Sequence, residues 1–260
     1  MKISDVLQEL KRRNALLYYA GLVNLIGFVI CIPLFIMDDR TITGINAWIK
    51  PMKFFLSVAI YLWTFGWLLQ YVKNTTNRAF ISWGILICMA VENIAIVIQA
   101  ARGVPSHFNF QTYFDGMVFA TMGVFIGINT FLIAYTLIVF FTKGVSHSSH
   151  MLIAWRAGLF LFLIGGISGG LMISQFAHTY GAADGGPGLP FLSWSTVAGD
   201  IRGAHFITLH GLQALPLFAW FISEKTSRPN VAILAFFILY TVVCIGLHLQ
   251  ALSGRPLISL

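Results

Sequence analysis

Seven long apolar runs dominate this sequence and constrain its fold more than any other feature. They lie at about 15–37, 53–72, 79–102, 115–142, 152–178, 204–223 and 229–253. A helix that crosses a bilayer needs about 20 apolar residues, and helices satisfy their backbone hydrogen bonds without water. The sequence therefore predicts an all-α membrane protein, a bundle of about seven transmembrane helices that forms one domain over residues 1–260.

The composition agrees with a lipid environment. Charged residues make up 10% of the chain and hydrophobic residues 58%, whereas a soluble domain carries roughly a quarter charged residues. The net charge of +7 comes mostly from basic residues that flank the apolar runs, which favours lipid headgroups over nucleic acid as the partner. The three cysteines lie inside apolar runs without a CxxC pair, which is typical of core residues. The oligomeric state is open.

The basic residues also predict an orientation. Ten of them lie in the N-terminal segment and in every second connection, and six lie in the alternate connections and at the C-terminus. Positive charge accumulates on the cytoplasmic side, so the N-terminus is expected inside and the C-terminus outside. The first apolar run is too long for a signal-peptide core and lacks a cleavage pattern. The expected location is the cell's inner (plasma) membrane, crossed several times.

The connections on the predicted outer side are long and chemically varied. The last of them, 179–203, contains Pro187, Pro190, Phe191 and Trp194. A connection of this length in a compact protein is usually functional or disordered. We expect it to fold over the bundle as a lid.

Histidines mark the outer side as the working face, because five of the seven lie at or near the outer helix ends. His210 and His248 would each lie roughly 8–10 Å below the outer surface on successive helices, and His178 could join them. These three are the predicted metal ligands, with His107 and His205 completing a cofactor site. Zinc, copper or iron fits a close histidine pair, and haem fits ligands from non-adjacent helices. The alternative is that these histidines form hydrogen bonds within the bundle.

Two further clusters predict proton and anion chemistry. Glu92 lies roughly 15 Å below the outer end of its helix, on one face with Gln99 and near Arg102. A carboxyl at that depth is protonated, paired or metal-bound, so Glu92 is a candidate proton carrier or a structural partner of an arginine or histidine. Asp200 can cap the sixth span, and Arg202 can grip a carboxylate or phosphate. Gln213 shares a face with His210 and is a candidate cofactor contact.

The stretch GDIRGAHFITLHGLQALP (199–216), with RGVPSHFN earlier (102–109), resembles a family of bacterial multi-pass membrane proteins to which no activity is attached. Other seven-helix families fit poorly. Retinal proteins need a lysine in the middle of the last helix, which 229–253 lacks. Zinc-dependent membrane hydrolases similar to ceramidases use an HxxxH pair in that helix, where this chain has only His248.

Three functions stay open from the residues. The first is a metal- or haem-dependent redox protein with an outward-facing site built from His210, His248 and the other outer histidines. The second is a proton-coupled transporter or receptor that takes a small polar or anionic ligand from the outer side, with Glu92 in the proton path. The third is a metal-dependent membrane hydrolase.

Overall fold

The computed structural model describes residues 3–142 and 144–259, and most of this part of the chain is helical. Its helices are α1 (Ile3–Arg13), α2 (Ala15–Met37), α3 (Ile49–Leu68), α4 (Thr75–Arg102), α5 (Tyr113–Phe140), α6 (Ser149–Gln175), α7 (Ile201–Ile222) and α8 (Pro229–Leu252). Helices α2 to α8 are long and apolar enough to cross a membrane. The prediction of an all-α, multi-pass membrane protein is confirmed at this level.

The helix ends differ from the predicted ends by a few residues. α3 begins at Ile49 and α4 at Thr75, each four residues before the apolar run. Lys50 and Lys53 belong to the first turns of α3, and Arg78 belongs to the first turn of α4. Hydropathy misses such turns because charged residues at a helix end lie in the interfacial layer.

Helix α1 was not predicted, because it is too short and too charged to span a bilayer. Its buried residue is Leu10, and its last turn is basic, which suits the negative end of the helix dipole. Arg12 and Arg13 both pair with Glu9, and these hydrogen bonds lower the pKa of Glu9 to about 2. Arg13 also stacks over the Trp67 ring at 4.1 Å. These contacts tie α1 to the end of α3.

The chain forms two compact units, Met1–Leu132 and Ile133–Leu260, and the boundary falls within α5. In the N-terminal unit, α2 packs along α3 and α3 packs against α4; in the C-terminal unit, α6 packs along α7 and α7 against α8. Hydropathy alone does not predict this division.

The first connection of the N-terminal unit is a small β-hairpin. Strands β1 (Thr41–Ile42) and β2 (Ile45–Asn46) pair antiparallel, and both turn residues, Thr43 and Gly44, have positive φ, which matches the right-handed twist of a two-residue hairpin. Asp38 anchors the hairpin, because it accepts hydrogen bonds from Arg40 and from the Trp48 indole. These bonds hold the pKa of Asp38 well below its usual value.

The corresponding connection of the C-terminal unit is longer but also contains a two-stranded ladder. Strands β3 (Thr179–Tyr180) and β4 (Gly199–Asp200) pair antiparallel, and α7 starts directly after β4. Trp194, from the predicted lid, packs edge-on against Phe206 with ring centroids 5.6 Å apart. Part of this connection therefore rests on the first turns of α7.

Candidate functional site

The predicted site residues fall into both units. Glu92 and His107 belong to the N-terminal unit, and the C-terminal unit holds His178, Asp200, Arg202, His205, His210, Gln213 and His248.

Glu92 is a buried carboxyl of the N-terminal unit. It lies on α4, ten residues before Arg102 and about 15 Å along the helix, and its side chain is 2% exposed. Its Oε1 atom is buried and has no hydrogen-bond partner among residues 3–142 and 144–259. A polar oxygen in this situation costs free energy. The fold therefore buries the Glu92 side chain and gives its Oε1 atom no hydrogen-bond partner among the described residues.

Next to Glu92, an asparagine pair joins α4 to α2. Asn93 donates its amide to Asn24 Oδ1 at 2.6 Å, and Asn24 donates to Ala20 O on its own helix at 2.8 Å. The Asn93 Oδ1 atom is also buried without a partner in the described part of the chain. Two unsatisfied oxygens on consecutive residues make this level of α4 unusually polar for a transmembrane position.

A cation and a histidine lie toward the Arg102 end of α4 from Glu92. Lys50, in the first turn of α3, interacts electrostatically with Glu92, and its ammonium donates to His107 Nδ1 at 3.1 Å. The His107 ring lies among Phe54, Phe108 and Phe119, with centroid distances of 6.1 to 6.4 Å. The structure thus places His107 within hydrogen-bond distance of Lys50. In the sequence, Lys50 was one of the basic residues used to predict the orientation.

The C-terminal end of α4 carries a polar cluster whose members hydrogen-bond to one another. Asp115, 2% exposed, accepts hydrogen bonds from Gln99 at 2.9 Å, from Arg102 at 2.5 Å and from Thr112 at 2.6 Å. Arg102 also donates to Gln99 Oε1. Gln99 and Arg102 therefore hold the start of α5, and within residues 3–142 and 144–259 Arg102 pairs with Asp115 rather than with Glu92.

A second polar group lies one turn of α4 in the other direction. Cys88 lies four residues before Glu92 and on the same face of α4. The buried Tyr61 hydroxyl donates to Asn129 Oδ1 at 2.8 Å, which joins α3 to α5. Polar side chains thus continue past Glu92 into the half of the unit that faces the short α3–α4 connection.

In the C-terminal unit, His205 is bound into the α6–α7 contact. Its Nδ1 lies 2.8 Å from Gly165 O and 3.0 Å from Ser168 Oγ. A carbonyl only accepts, so Nδ1 carries the hydrogen and the lone pair is on Nε2.

His210 and His248 have the same local arrangement. Each places Nδ1 2.8 Å from the carbonyl four residues earlier, Phe206 O and Cys244 O respectively, so Nε2 is again the nitrogen with the lone pair. His210 packs on Phe206 with centroids 3.9 Å apart. Gln213, one turn further along α7, is half-buried.

His178 is committed to the connection that follows α6. Its Nδ1 lies 2.5 Å from Asp184 Oδ2, and the same carboxylate accepts from the backbone N–H of His178 and from Thr179. Burial alone would raise the pKa of Asp184, but the hydrogen bonds from His178 and Thr179 hold it well below its usual value. The pair clamps the loop.

Asp200 and Arg202 form a second clamp. Asp200 caps α7, as the sequence predicts, by accepting from the Arg202 backbone N–H at 3.0 Å. It also accepts from the Arg202 guanidinium at 2.6 Å and from the Ser195 backbone N–H at 2.7 Å. Arg202 therefore grips the chain's own carboxylate, and its second contact is Ser193 O at 2.5 Å.

The predicted metal ligands do not assemble in the described part of the chain. No group of three or more His, Cys, Asp or Glu side chains within residues 3–142 and 144–259 could hold a metal ion. His178 bonds to Asp184, while His210 and His248 each offer one nitrogen. Metal or haem binding by these residues stays a prediction.

The sequence did not reveal the residues that surround Glu92 or the residue that pairs with His178. Lys50, Asn24 and Tyr61 come from other helices than Glu92, and Asp184 was not considered beside His178. One signal was present: Asn24, Asn93 and Asn129 are amides inside apolar runs, and buried polar residues in membrane helices usually find one another across helices.

Comparisons with known proteins add no family assignment. No protein-family model matches the chain, and neither a curated protein nor a solved structure shows significant similarity to it. The resemblance of 199–216 to a bacterial membrane-protein family therefore stays a prediction.

Proposed function

We propose that this protein is a proton-coupled transporter for a small polar or anionic solute, with Glu92 as the group that carries the proton. The observation that supports this most is a carboxyl that is 2% exposed, lies within a membrane-spanning helix and has an oxygen without a partner in the described residues.

The environment of Glu92 suits a group that changes its protonation state. Burial favours the uncharged carboxyl, because a charged group loses its hydration in an apolar medium. The nearby Lys50 charge favours the carboxylate. A full set of hydrogen bonds to both carboxyl oxygens would fix one protonation state of Glu92. Its Oε1 atom has no such bond in the described residues. Such residues in membrane helices commonly mark proton and substrate pathways.

Positive charge on the outer side of Glu92 supports an anionic solute. Lys50 and Lys53 lie in the first two turns of α3, and Lys50 contacts His107. Arg102 is neutralised by Asp115. An anion approaching from the outer side would therefore meet the two lysines and His107 before it reached the level of Glu92.

The proposed direction follows from the basic residues. With ten of them at the N-terminus and the connections on its side of the membrane, we place the N-terminus in the cytoplasm of a cell whose plasma membrane holds the protein. The solute then enters from the outer side, where the hairpin of residues 41–46 and the 179–203 connection lie.

Reconstituted full-length protein tests this proposal. Liposomes of phosphatidylethanolamine and phosphatidylglycerol enclose a pH-sensitive dye, and succinate, glutamate or inorganic phosphate is added outside, one at a time. At least one probe should acidify the lumen beyond the signal of empty liposomes. Glu92→Gln should abolish that signal because an amide carries no exchangeable acid proton, whereas Glu92→Asp should retain part of it.

Glu224→Gln is the matched control, because Glu224 is an exposed carboxylate in the α7–α8 connection. It should transport like the wild type. A wild-type signal equal to empty liposomes with all three probes contradicts the proposed function. A Glu92→Gln signal equal to the wild type contradicts the role of Glu92 while leaving transport intact.

A further inference from the structure

The outer ends of α4 and α8 share a sequence pattern and a cap. α4 ends in QAARGVP (99–105) and α8 in QALSGRP (250–256), with Gln, Ala, Gly and Pro at the same positions. Gly103 and Gly254 have φ of 74° and 77°. The residue after each glycine donates its N–H to the glutamine carbonyl, at 3.1 Å to Gln99 and 3.2 Å to Gln250. Both helices end in the same Schellman-type cap.

The starts of α3 and α7 correspond as well. The segments WIKPMKF (48–54) and DIRGAHF (200–206) both have isoleucine as the first helical residue, a basic residue second and phenylalanine sixth. The two residues that follow the basic one are buried in each helix. Each helix begins shortly after the second strand of a two-stranded antiparallel ladder.

Helices α2 and α6 share a pair of close contacts. AGL occurs at 20–22 in α2 and at 157–159 in α6, followed by LIG at 25–27 and 163–165. A Cβ added at Gly21 or Gly27 would meet side chains of α3, and one added at Gly158 or Gly165 would meet α7. These glycines let α2 approach α3 closely, and they let α6 approach α7 closely.

We infer that the chain is a tandem duplication of one three-helix unit, α2–α4 and α6–α8, joined by α5. Both copies run helix, hairpin connection, helix, short connection, helix. They differ most in the hairpin connection, so the predicted lid at 179–203 corresponds to an insertion in the second copy. Four spans precede α6, so α2 and α6 start on the same side of the membrane.

This inference deepens the proposed function. Same-direction repeats are a recurring architecture of transporters, and the pairing of the two copies shows where they have diverged. The register that pairs Gln99 with Gln250 places Val243 opposite Glu92 and Ile258 opposite His107. Glu92 and His107 of the first copy therefore correspond to apolar residues in the second copy. We place the proton chemistry in the first copy.

A full substitution scan of the intact chain tests the duplication. Each residue is replaced by every other, and the abundance of the membrane-inserted protein is read from a fluorescent C-terminal fusion. The tolerance profiles of the two copies are then correlated over all registers. The comparison is made one helix pair at a time, because the copies differ by one residue between the second and third helix: the correlation should peak where Gln99 pairs with Gln250 for α4 with α8, and where Ile49 pairs with Ile201 for α3 with α7.

Registers displaced by one or two helical turns are the control, because they keep the alternation of lipid-facing and buried positions. A peak at one of these registers, or equal correlation across them, overturns the duplication. The scan reads folding and insertion rather than transport. Its failure is therefore distinguishable from a failure of the liposome assay.

Discussion

Glu92 in the N-terminal unit and Asp200 in the C-terminal unit are similarly buried but have opposite hydrogen-bonding surroundings. In the C-terminal unit, Asp200 and Asp184 each accept several hydrogen bonds from backbone and side-chain donors. In the N-terminal unit, Glu92 is as deeply buried as Asp200 but has an unpartnered oxygen. A saturated carboxylate stabilises one geometry. An unsaturated one costs stability, and a fold retains such a cost most often where function needs it.

The largest effect should separate these two roles directly. Asp200→Ala removes a buried acceptor and leaves the Arg202 guanidinium and the Ser195 N–H without it, so we expect the free energy of unfolding to fall by about 3–5 kcal/mol. Glu92→Gln should leave it unchanged or raise it. Thermal unfolding in detergent, followed by tryptophan fluorescence, measures both.

Asp39→Ala is the control for Asp200→Ala, since Asp39 is exposed, and it should change stability by less than about 0.5 kcal/mol. If Glu92→Gln destabilises the protein as much as Asp200→Ala does, the contrast between Glu92 and Asp200 is wrong.

Helix packing gives the next largest effect and should be similar in the two units. A Cβ at Gly158 would lie 3.0 Å from Leu212 Cα, and one at Gly21 would lie 1.9 Å from Trp63 Nε1. The backbone cannot yield at the first site, and Trp63 is held at the second by its bond to Tyr18 O. Gly158→Ala and Gly21→Ala should each cost about 1–3 kcal/mol in unfolding free energy.

Gly166→Ala and Gly127→Ala are the matched controls in the same measurement. A Cβ at either glycine would meet no described atom within 4 Å, so both variants should be neutral or gain about 0.5–1 kcal/mol from the better helix propensity of alanine. If all four variants behave alike, close packing does not distinguish these glycines.

A smaller difference should appear between two tyrosines. Tyr61→Phe leaves Asn129 Oδ1 without its donor inside the N-terminal unit and should cost about 1–2 kcal/mol in unfolding free energy. Tyr240 donates to Ile207 O at 2.5 Å, a helix carbonyl that also has the α7 backbone as a partner. Tyr240→Phe should therefore cost less, about 0.5–1 kcal/mol. Equal losses would contradict this distinction.

The spans could be predicted because hydropathy and length decide them in a bilayer. α1 could not, because its stability depends on packing Leu10 against the unit and on contacts such as Arg13 with Trp67. The depth of Glu92 could be estimated from the helix rise alone. The charge of Lys50 near it could not be predicted, because that placement depends on how α3 and α4 pack.

The histidines show the limit of reading chemistry from residue type. Their position near helix ends was visible in the sequence, but the partner of each ring depends on local geometry. His205 meets Gly165 O across two helices, and His178 meets Asp184 through a turn of the connection. An aspartate six residues away in a glycine-rich loop gave no periodic signal that would have paired it with His178.

The smallest effect compares the loop carboxylates of the two units, Asp38 and Asp184. Both have a pKa below the usual value, because Arg40 and Trp48 donate to Asp38, and because His178 and Thr179 outweigh the burial of Asp184. A carboxyl with a lowered folded-state pKa adds stability above the unfolded-state pKa of about 3.9, and loses it as the pH falls through the folded-state value. Asp38→Asn and Asp184→Asn should therefore lower the melting temperature most at neutral pH.

Melting curves from neutral pH down to about pH 3 measure this dependence, and each difference from the wild type should shrink once the pH falls below about 4. Asp184→Asn should show the larger difference, because Asp184 is partly buried whereas the ion pair of Asp38 with Arg40 is exposed to screening. Asp39→Asn should show no pH-dependent difference. A gap between wild type and Asp184→Asn that widens toward acid would mean that the His178 contact does not favour the carboxylate.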